Sequence, residues 1–163
     1  MAQEIERKFL VKDDSWRQSV TESSRITQGY LTGVGTTLRV RLRDGQAFLT
    51  IKGKARGIVR SEFEYNIPFD EAQEMLDTLS LYPPVDKIRH IVPAGNGLFW
   101  EIDEYLGENA PLFTAEIELP QCDTVFDIPS WLGKDVSSDN RYTNRSLSRA
   151  PYSQWPPEEE PRP

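Results

Sequence analysis

Charged residues of one sign recur in this chain at alternate positions. Arg39, Arg41 and Arg43 alternate with Leu38, Val40 and Leu42, and Glu116 and Glu118 alternate with Ala115, Ile117 and Leu119. Glu4, Glu6 and Lys8 follow the same rule, as do Glu62 and Glu64, Lys87 and Arg89, and Glu101 and Asp103. In a strand, alternate residues share a face about 7 Å apart. At an effective dielectric near 20, two like charges at that spacing cost on the order of 2 kcal/mol. An ordinary wet face mixes both signs, so rows this uniform imply a partner of opposite charge lying among them. Lys8, Arg39, Arg41, Lys52, Lys87 and Arg89 are donors without acceptor capacity, and guanidinium suits bidentate phosphate binding. Glu4, Glu6, Glu62, Glu64, Asp103, Glu116 and Glu118 are hard oxygen donors suited to Mg²⁺ or Mn²⁺. With one cysteine and one histidine in the chain, no softer ligand set competes. A basic cradle beside a carboxylate cluster is what metal-assisted attack on a polyphosphate requires.

The elements that must carry these rows are strands. The N-terminal stretch from Glu4 to Val11 is the first, and Ser24 to Thr32 the second, ended by a turn at Gly33 and Gly35. Thr36–Arg43 and Gln46–Lys54 flank Asp44-Gly45, a two-residue hairpin signal. Further strands are expected over Ile58–Pro68, Val85–Val92, Leu98–Tyr105 and Leu112–Leu119. Between them, Asp70 reads as an N-cap with Gln73 completing a capping-box-like pair. Ala72, Met75, Leu76 and Leu79 give that helix its apolar stripe. Asp13 to Val20 reads as a short helix or turn, and the chain from Asp123 onward as helical and irregular.

Each charged row has an apolar row opposite, in Leu38, Val40, Leu42, Phe63, Tyr65, Ile67, Trp100 and Ile102. The expected arrangement is therefore inverted. It is a β-dominated α+β fold in which an eight-stranded antiparallel sheet closes into a barrel. The charged face lines a tunnel and helices pack on the greasy outside. His90 falls on that outer face, as a packing residue. Residues 1–150 form one domain, and 151–163, rich in proline and acid, read as a disordered tail.

A net charge of −7 argues against a general nucleic-acid binder, though not against a local basic pocket. The single Cys122 excludes an intrachain disulfide and points to a reducing compartment. No apolar run approaches the roughly 18 residues of a membrane span and no leader pattern is visible. The expected setting is the cytoplasm, without membrane or nucleic-acid partners. Oligomeric state stays open, a homodimer included.

Glu4-Ile5-Glu6-Arg7-Lys8 resembles the E-x-E-x-K signature of the CYTH superfamily, the triphosphate tunnel metalloenzymes. Leu38-Arg39-Val40-Arg41-Leu42, Leu49-Thr50-Ile51-Lys52, Ser61-Glu62-Phe63-Glu64 and Lys87-Ile88-Arg89 resemble its later motifs. So do Glu101-Ile102-Asp103, Glu116-Ile117-Glu118 and Asp139-Asn140-Arg141-Tyr142-Thr143-Asn144, all in the family's order. The resemblance implies a tunnel that hydrolyses a small-molecule triphosphate with Mg²⁺ or Mn²⁺. Glu4, Glu6 and Glu118 would be metal ligands with Glu116 close by. Lys8, Arg39, Arg41, Lys52, Lys87 and Arg89 would grip phosphates. Glu62, Glu64 and Asp103 would hold a second metal, orient the bases, or serve only as ion pairs. Lys8 and Tyr30 are the catalytic candidates. Tyr30, in Gln28-Gly29-Tyr30-Leu31, either takes a proton from the attacking water or only hydrogen-bonds. The short form is most similar to bacterial tripolyphosphatases, which release pyrophosphate and phosphate. A class IV-type adenylate cyclase, a thiamine or nucleoside triphosphatase, and a non-catalytic polyphosphate-binding module are the competing readings.

Overall fold

The computed structural model describes residues 3–32 and 35–156. Its strands are β1 (Gln3–Val11), β2 (Glu22–Tyr30), β3 (Thr37–Arg43), β4 (Gln46–Lys52) and β5 (Val59–Ile67), then β6 (Val85–Gly95), β7 (Leu98–Tyr105), β8 (Phe113–Glu118) and β9 (Leu132–Asp135). Two helices accompany them, α1 (Phe69–Leu79) and α2 (Asn144–Arg149). All pairings are antiparallel, in the order β5-β4-β3-β2-β6-β7-β8-β1-β9. A pairing of β1 with β5, from Gln3↔Ser61 to Ile5↔Val59, closes the first eight into a barrel. At the Asp44-Gly45 turn both residues take positive φ, 51° and 78°, as a two-residue hairpin demands.

The inversion expected from the alternation is what the barrel shows. Arg39, Arg41, Lys87, Arg89, Asp103 and Glu116 are buried inside. Phe9, Trp100, Ile102, Ala115, Ile117 and Trp131 form an apolar cluster on the other face, with Trp16 from a 3-10 turn over Ser15–Ser19. A second outer cluster joins Val40 and Ala47 to Ala72 and Leu76 of α1. His90 also faces outward, with its ring 5.0 Å from that of Trp16. Its Nδ1 lies 2.7 Å from Ser23 Oγ and its Nε2 3.0 Å from Glu104 Oε1.

Several expectations need correction. A ninth strand, β9, occupies part of the segment read as helical and irregular. Leu132-Gly133-Lys134-Asp135 carries no alternation of its own and is extended because it pairs with Phe9 and Val11 of β1. Helix α1 starts at Phe69 with Pro68 in the cap position, so Asp70 is no N-cap; its carboxylate accepts only the neighbouring Glu71 N–H. Leu79 is 57% exposed, and of the expected stripe only Ala72 and Leu76 are buried. Phe63 and Tyr65 are likewise exposed, since α1 packs over β2, β3 and β4 but not over β5. The chain beyond 150 stays attached: the rings of Tyr152 and Trp155 meet at a tilt 5.0 Å apart, and Trp155 packs edge-to-face with Tyr142. Residues 157–163 of the expected tail, and Gly33 of the expected turn, lie outside the described residues. Among the described residues no helix is long and apolar enough to cross a membrane.

Close approach of α1 to β2 depends on Gly29, where a Cβ would lie 2.7 Å from both Leu76 Cδ2 and Ser80 Oγ. Both contacts are with side chains that can give way. Gly29→Ala should therefore cost only about 1 kcal/mol, read as a lowered melting temperature.

Candidate functional site: the charged lumen

Strand register brings distant parts of the chain into one lumen. Arg39 lies opposite Tyr30 on one side and Thr50 on the other, and Arg41 lies opposite Gln28. Arg89 faces Asp103, Lys8 faces Glu116, and Glu6 faces Glu118. Every residue singled out from the sequence lies on the inward-facing alternation, with Glu64 at the rim.

Asp103 is the hub of the basic wall. Its Oδ1 accepts from Arg89 Nε at 2.8 Å, and its Oδ2 accepts from Arg89 Nη2 at 2.9 Å and Lys87 Nζ at 2.8 Å. Burial opposes its ionisation, but Arg89 and Lys87 together hold the carboxyl well below the usual carboxylate range. One carboxylate serves two cations there. Arg89 also has Glu101 at 3.4 Å and Glu116 at 3.5 Å and keeps its proton firmly. Lys87 is the member that burial pulls down to about 7, against the attraction of Asp103. Burial likewise opposes ionisation of Glu116, yet Lys8 and Arg89 bring it down to about 2.

The opposite wall is short of negative charge. Arg41 donates through Nε to Gln28 Oε1 at 2.9 Å, and Gln28 in turn donates to the Tyr30 hydroxyl at 2.7 Å. No carboxylate lies within 4.0 Å of Arg41 among the described residues, and burial with the like charges of Arg39 and Arg89 pulls its guanidinium down to about 9. Arg39 donates to Thr50 Oγ1 at 3.2 Å, with Glu64 at 3.7 Å, while its buried Nε has no partner among the described residues. A buried charged donor left unsatisfied marks a place for an acceptor. Gln28, which orients both Arg41 and Tyr30, is a site residue the sequence reading passed over. Its alternation with Tyr30 was the available signal.

Toward the mouth the imbalance reverses. Glu6 has its pKa raised well above the ordinary value by burial, by Glu116 and by Glu4. Glu118 is raised by burial, Glu4 and Glu101, and Glu62 by burial and Glu4. Lys52, donating to the two Glu4 oxygens at 3.0 and 3.2 Å, is the main counter-charge. Among the described residues no three acids are already gathered into a coordination cluster. They do form a crowded, all-oxygen set whose mutual repulsion a hard divalent cation would relieve, so the residues fit such an ion chemically. This end opens into a cavity of about 660 Å³ lined by Glu101, Glu118 and Arg43 together with Ile5, Leu98 and Phe99.

The other end is filled. Leu10, Val85 and Tyr105 pack against Tyr142 and Leu147 from the C-terminal segment. Lys8 Nζ donates to the Tyr142 carbonyl at 2.9 Å, and Asn144 Oδ1 accepts from Lys87 at 3.0 Å and from Tyr105 at 3.1 Å. The lumen is thus a charged pocket with a basic floor and an acidic lip.

The chain matches the CYTH domain family over residues 2–150. It is 41% identical over 156 residues to the inorganic triphosphatase of Acetivibrio thermocellus, covering 95% of this chain and 99% of that protein. Against the inorganic triphosphatase of Nitrosomonas europaea it is 33% identical over 149 residues, covering 89% and 96%. A solved structure of an inorganic triphosphatase superposes with a TM-score of 0.64 at 32% identity, over 91% of this chain and 95% of that one. The barrel with its inward rows of charge and the matches across nearly the whole chain agree, and the chain belongs to the CYTH family.

Proposed function

We propose that this protein is a divalent-metal-dependent inorganic triphosphatase, splitting tripolyphosphate into pyrophosphate and phosphate inside the barrel. One observation carries the reading. Among the described residues the buried guanidinium of Arg41 has no carboxylate within 4.0 Å and that of Arg39 keeps an unpartnered Nε, while carboxylates crowd one another at the lip. A polyanion bound together with a cation neutralises both ends at once. The two relatives named as inorganic triphosphatases support the choice of substrate.

Arg39, Arg41, Lys8, Lys52, Lys87 and Arg89 would hold phosphate oxygens, the guanidiniums in bidentate fashion. Asp103 fixes the direction of Lys87 and Arg89 and is a positioning residue. Glu4, Glu6 and Glu118, with Glu116 behind them, would hold Mg²⁺ or Mn²⁺, which supplies charge neutralisation and a more acidic water. Glu62 and Glu64 face Lys52 and Arg39 at 3.9 and 3.7 Å and restrain those bases. The Tyr30 hydroxyl, which accepts from Gln28 and lies beside Arg41, would hydrogen-bond and orient the attacking water. It would take the water's proton only as the phenolate, its own proton having passed to solvent.

Incubation with tripolyphosphate and Mg²⁺ or Mn²⁺ should give equal amounts of pyrophosphate and phosphate, and incubation with ATP should give no cyclic AMP. Tight binding of tripolyphosphate without phosphate release at any metal concentration would instead make the protein a binding module.

A further inference from the structure

We infer that Arg145, on α2, is a further substrate-binding residue that grips the terminal phosphate of the triphosphate where α2 meets β3, beside Thr37 and Arg39. The inference rests on the triphosphatase reading above and extends it to a part of the chain outside the barrel strands.

Arg145 is half-buried and its Nη1 donates to Thr37 Oγ1 at 3.3 Å. Thr37 is in phase with Arg39 and Arg41 on β3, opposite Lys52, so its side chain belongs to the lumen face. Same-face neighbours on a strand lie about 7 Å apart, which puts the Arg145 contact one step from Arg39 in the basic row. Asn144, the preceding residue, already reaches Lys87 and Tyr105. The start of α2 therefore lies over the lumen with two adjacent side chains directed into it.

Arg145 has no carboxylate within 4.0 Å among the described residues. Arg7, Arg17, Arg25 and Arg141, by contrast, each have an acid partner. Arg145 shares instead the condition of Arg41, a cation facing the lumen with a neutral hydrogen-bond partner. Nor is it needed to dock the helix. Ser148 Oγ donates to the Pro83 carbonyl at 2.8 Å and Leu147 is buried. A guanidinium with five donors and one hydroxyl acceptor has capacity left for phosphate oxygens.

The test compares Arg145→Met, which keeps an apolar stem, with Arg145→Lys, which keeps the charge. Calorimetric binding of tripolyphosphate in a chelating buffer, and KM and kcat with Mg²⁺, are measured for both. R145M should weaken binding and raise KM about tenfold with kcat within about threefold of wild type, whereas R145K should stay within about threefold throughout. Melting temperatures close to wild type show that the floor is intact. Binding and KM unchanged in R145M, or equal losses in the two variants, overturn the assignment. If the wild-type protein neither binds nor hydrolyses tripolyphosphate, the triphosphatase reading falls and this inference with it. If the wild type turns over and R145M matches it, only the role of Arg145 is wrong.

Discussion

Glu6→Gln should abolish turnover of tripolyphosphate, by about 10³-fold or more, and at the same time raise the melting temperature of the metal-free protein. The loss follows from removing a charged oxygen donor where the cation is proposed to sit, since metal stabilisation of the transition state is worth several kcal/mol. The gain in stability follows from the crowding at the lip. Burial, Glu116 and Glu4 raise the Glu6 pKa above that of the unfolded chain, so the folded state binds more protons between those two values. Stability therefore falls as pH rises through that window. At neutral pH the ionised Glu6 is a net cost, and an uncharged amide of the same size removes it. A gain on the order of 1 kcal/mol corresponds to about 2–4 °C for a chain of this size. Divalent cation should invert the order. At a concentration about 100 times its Kd it stabilises the wild type by about 2.7 kcal/mol, while the variant, lacking the donor, responds little. Melting curves with chelator and with Mg²⁺ read both effects. A variant that melts below wild type in chelator, or that keeps its turnover, removes Glu6 from the metal site.

The rows that define the lumen were legible because alternation is local: Arg39 and Arg41, or Glu116 and Glu118, share a face whatever strand lies beside them. What each row does once folded was not. Glu116 and Glu118 look alike in sequence, yet register sets Lys8 opposite the first and Glu6 opposite the second. One is consequently a firmly ionised ion-pair partner and the other a carboxylate with raised proton affinity. The part played by the C-terminal segment was equally hidden. The contacts of Lys8 with the Tyr142 carbonyl and of Arg145 with Thr37 span most of the chain and leave no periodic trace. Strand β9 is extended only because β1 offers it an edge, a tertiary cause that overrides weak local preference. The helix start was misplaced for the opposite reason. Asp70 has the chemistry of a cap, but Pro68, with φ of −59° and extended ψ, already sets the entry geometry one residue earlier.

Asp103→Asn should be the most destabilising single change in the lumen. Asp103 and Lys87 have no exposed surface, and Asp103 makes three hydrogen bonds to two cations. Removing the charge leaves Lys87 and Arg89 buried with the more distant Glu101 and Glu116 as counter-ions. Breaking a buried pair in this way costs about 3–5 kcal/mol, or about 6–20 °C in melting temperature for a domain of this size. Lys87 is already drawn down to about 7 by burial against the pull of Asp103. With that pull gone it should lose its proton in the folded state at neutral pH, taking one phosphate-binding charge from the floor. A higher KM should therefore accompany the lower stability, and the KM should rise further with pH as the remaining protonated fraction is lost. Glu64→Gln is the matched control. Its carboxylate stands 3.7 Å from Arg39 but is 45% exposed, so solvent screens the pair and stability should change by less than about 1 kcal/mol. Thermal melts of the two variants decide the matter. If D103N melts within about 2 °C of wild type, the two cations do not depend on that one carboxylate, and the basic wall is held by something else.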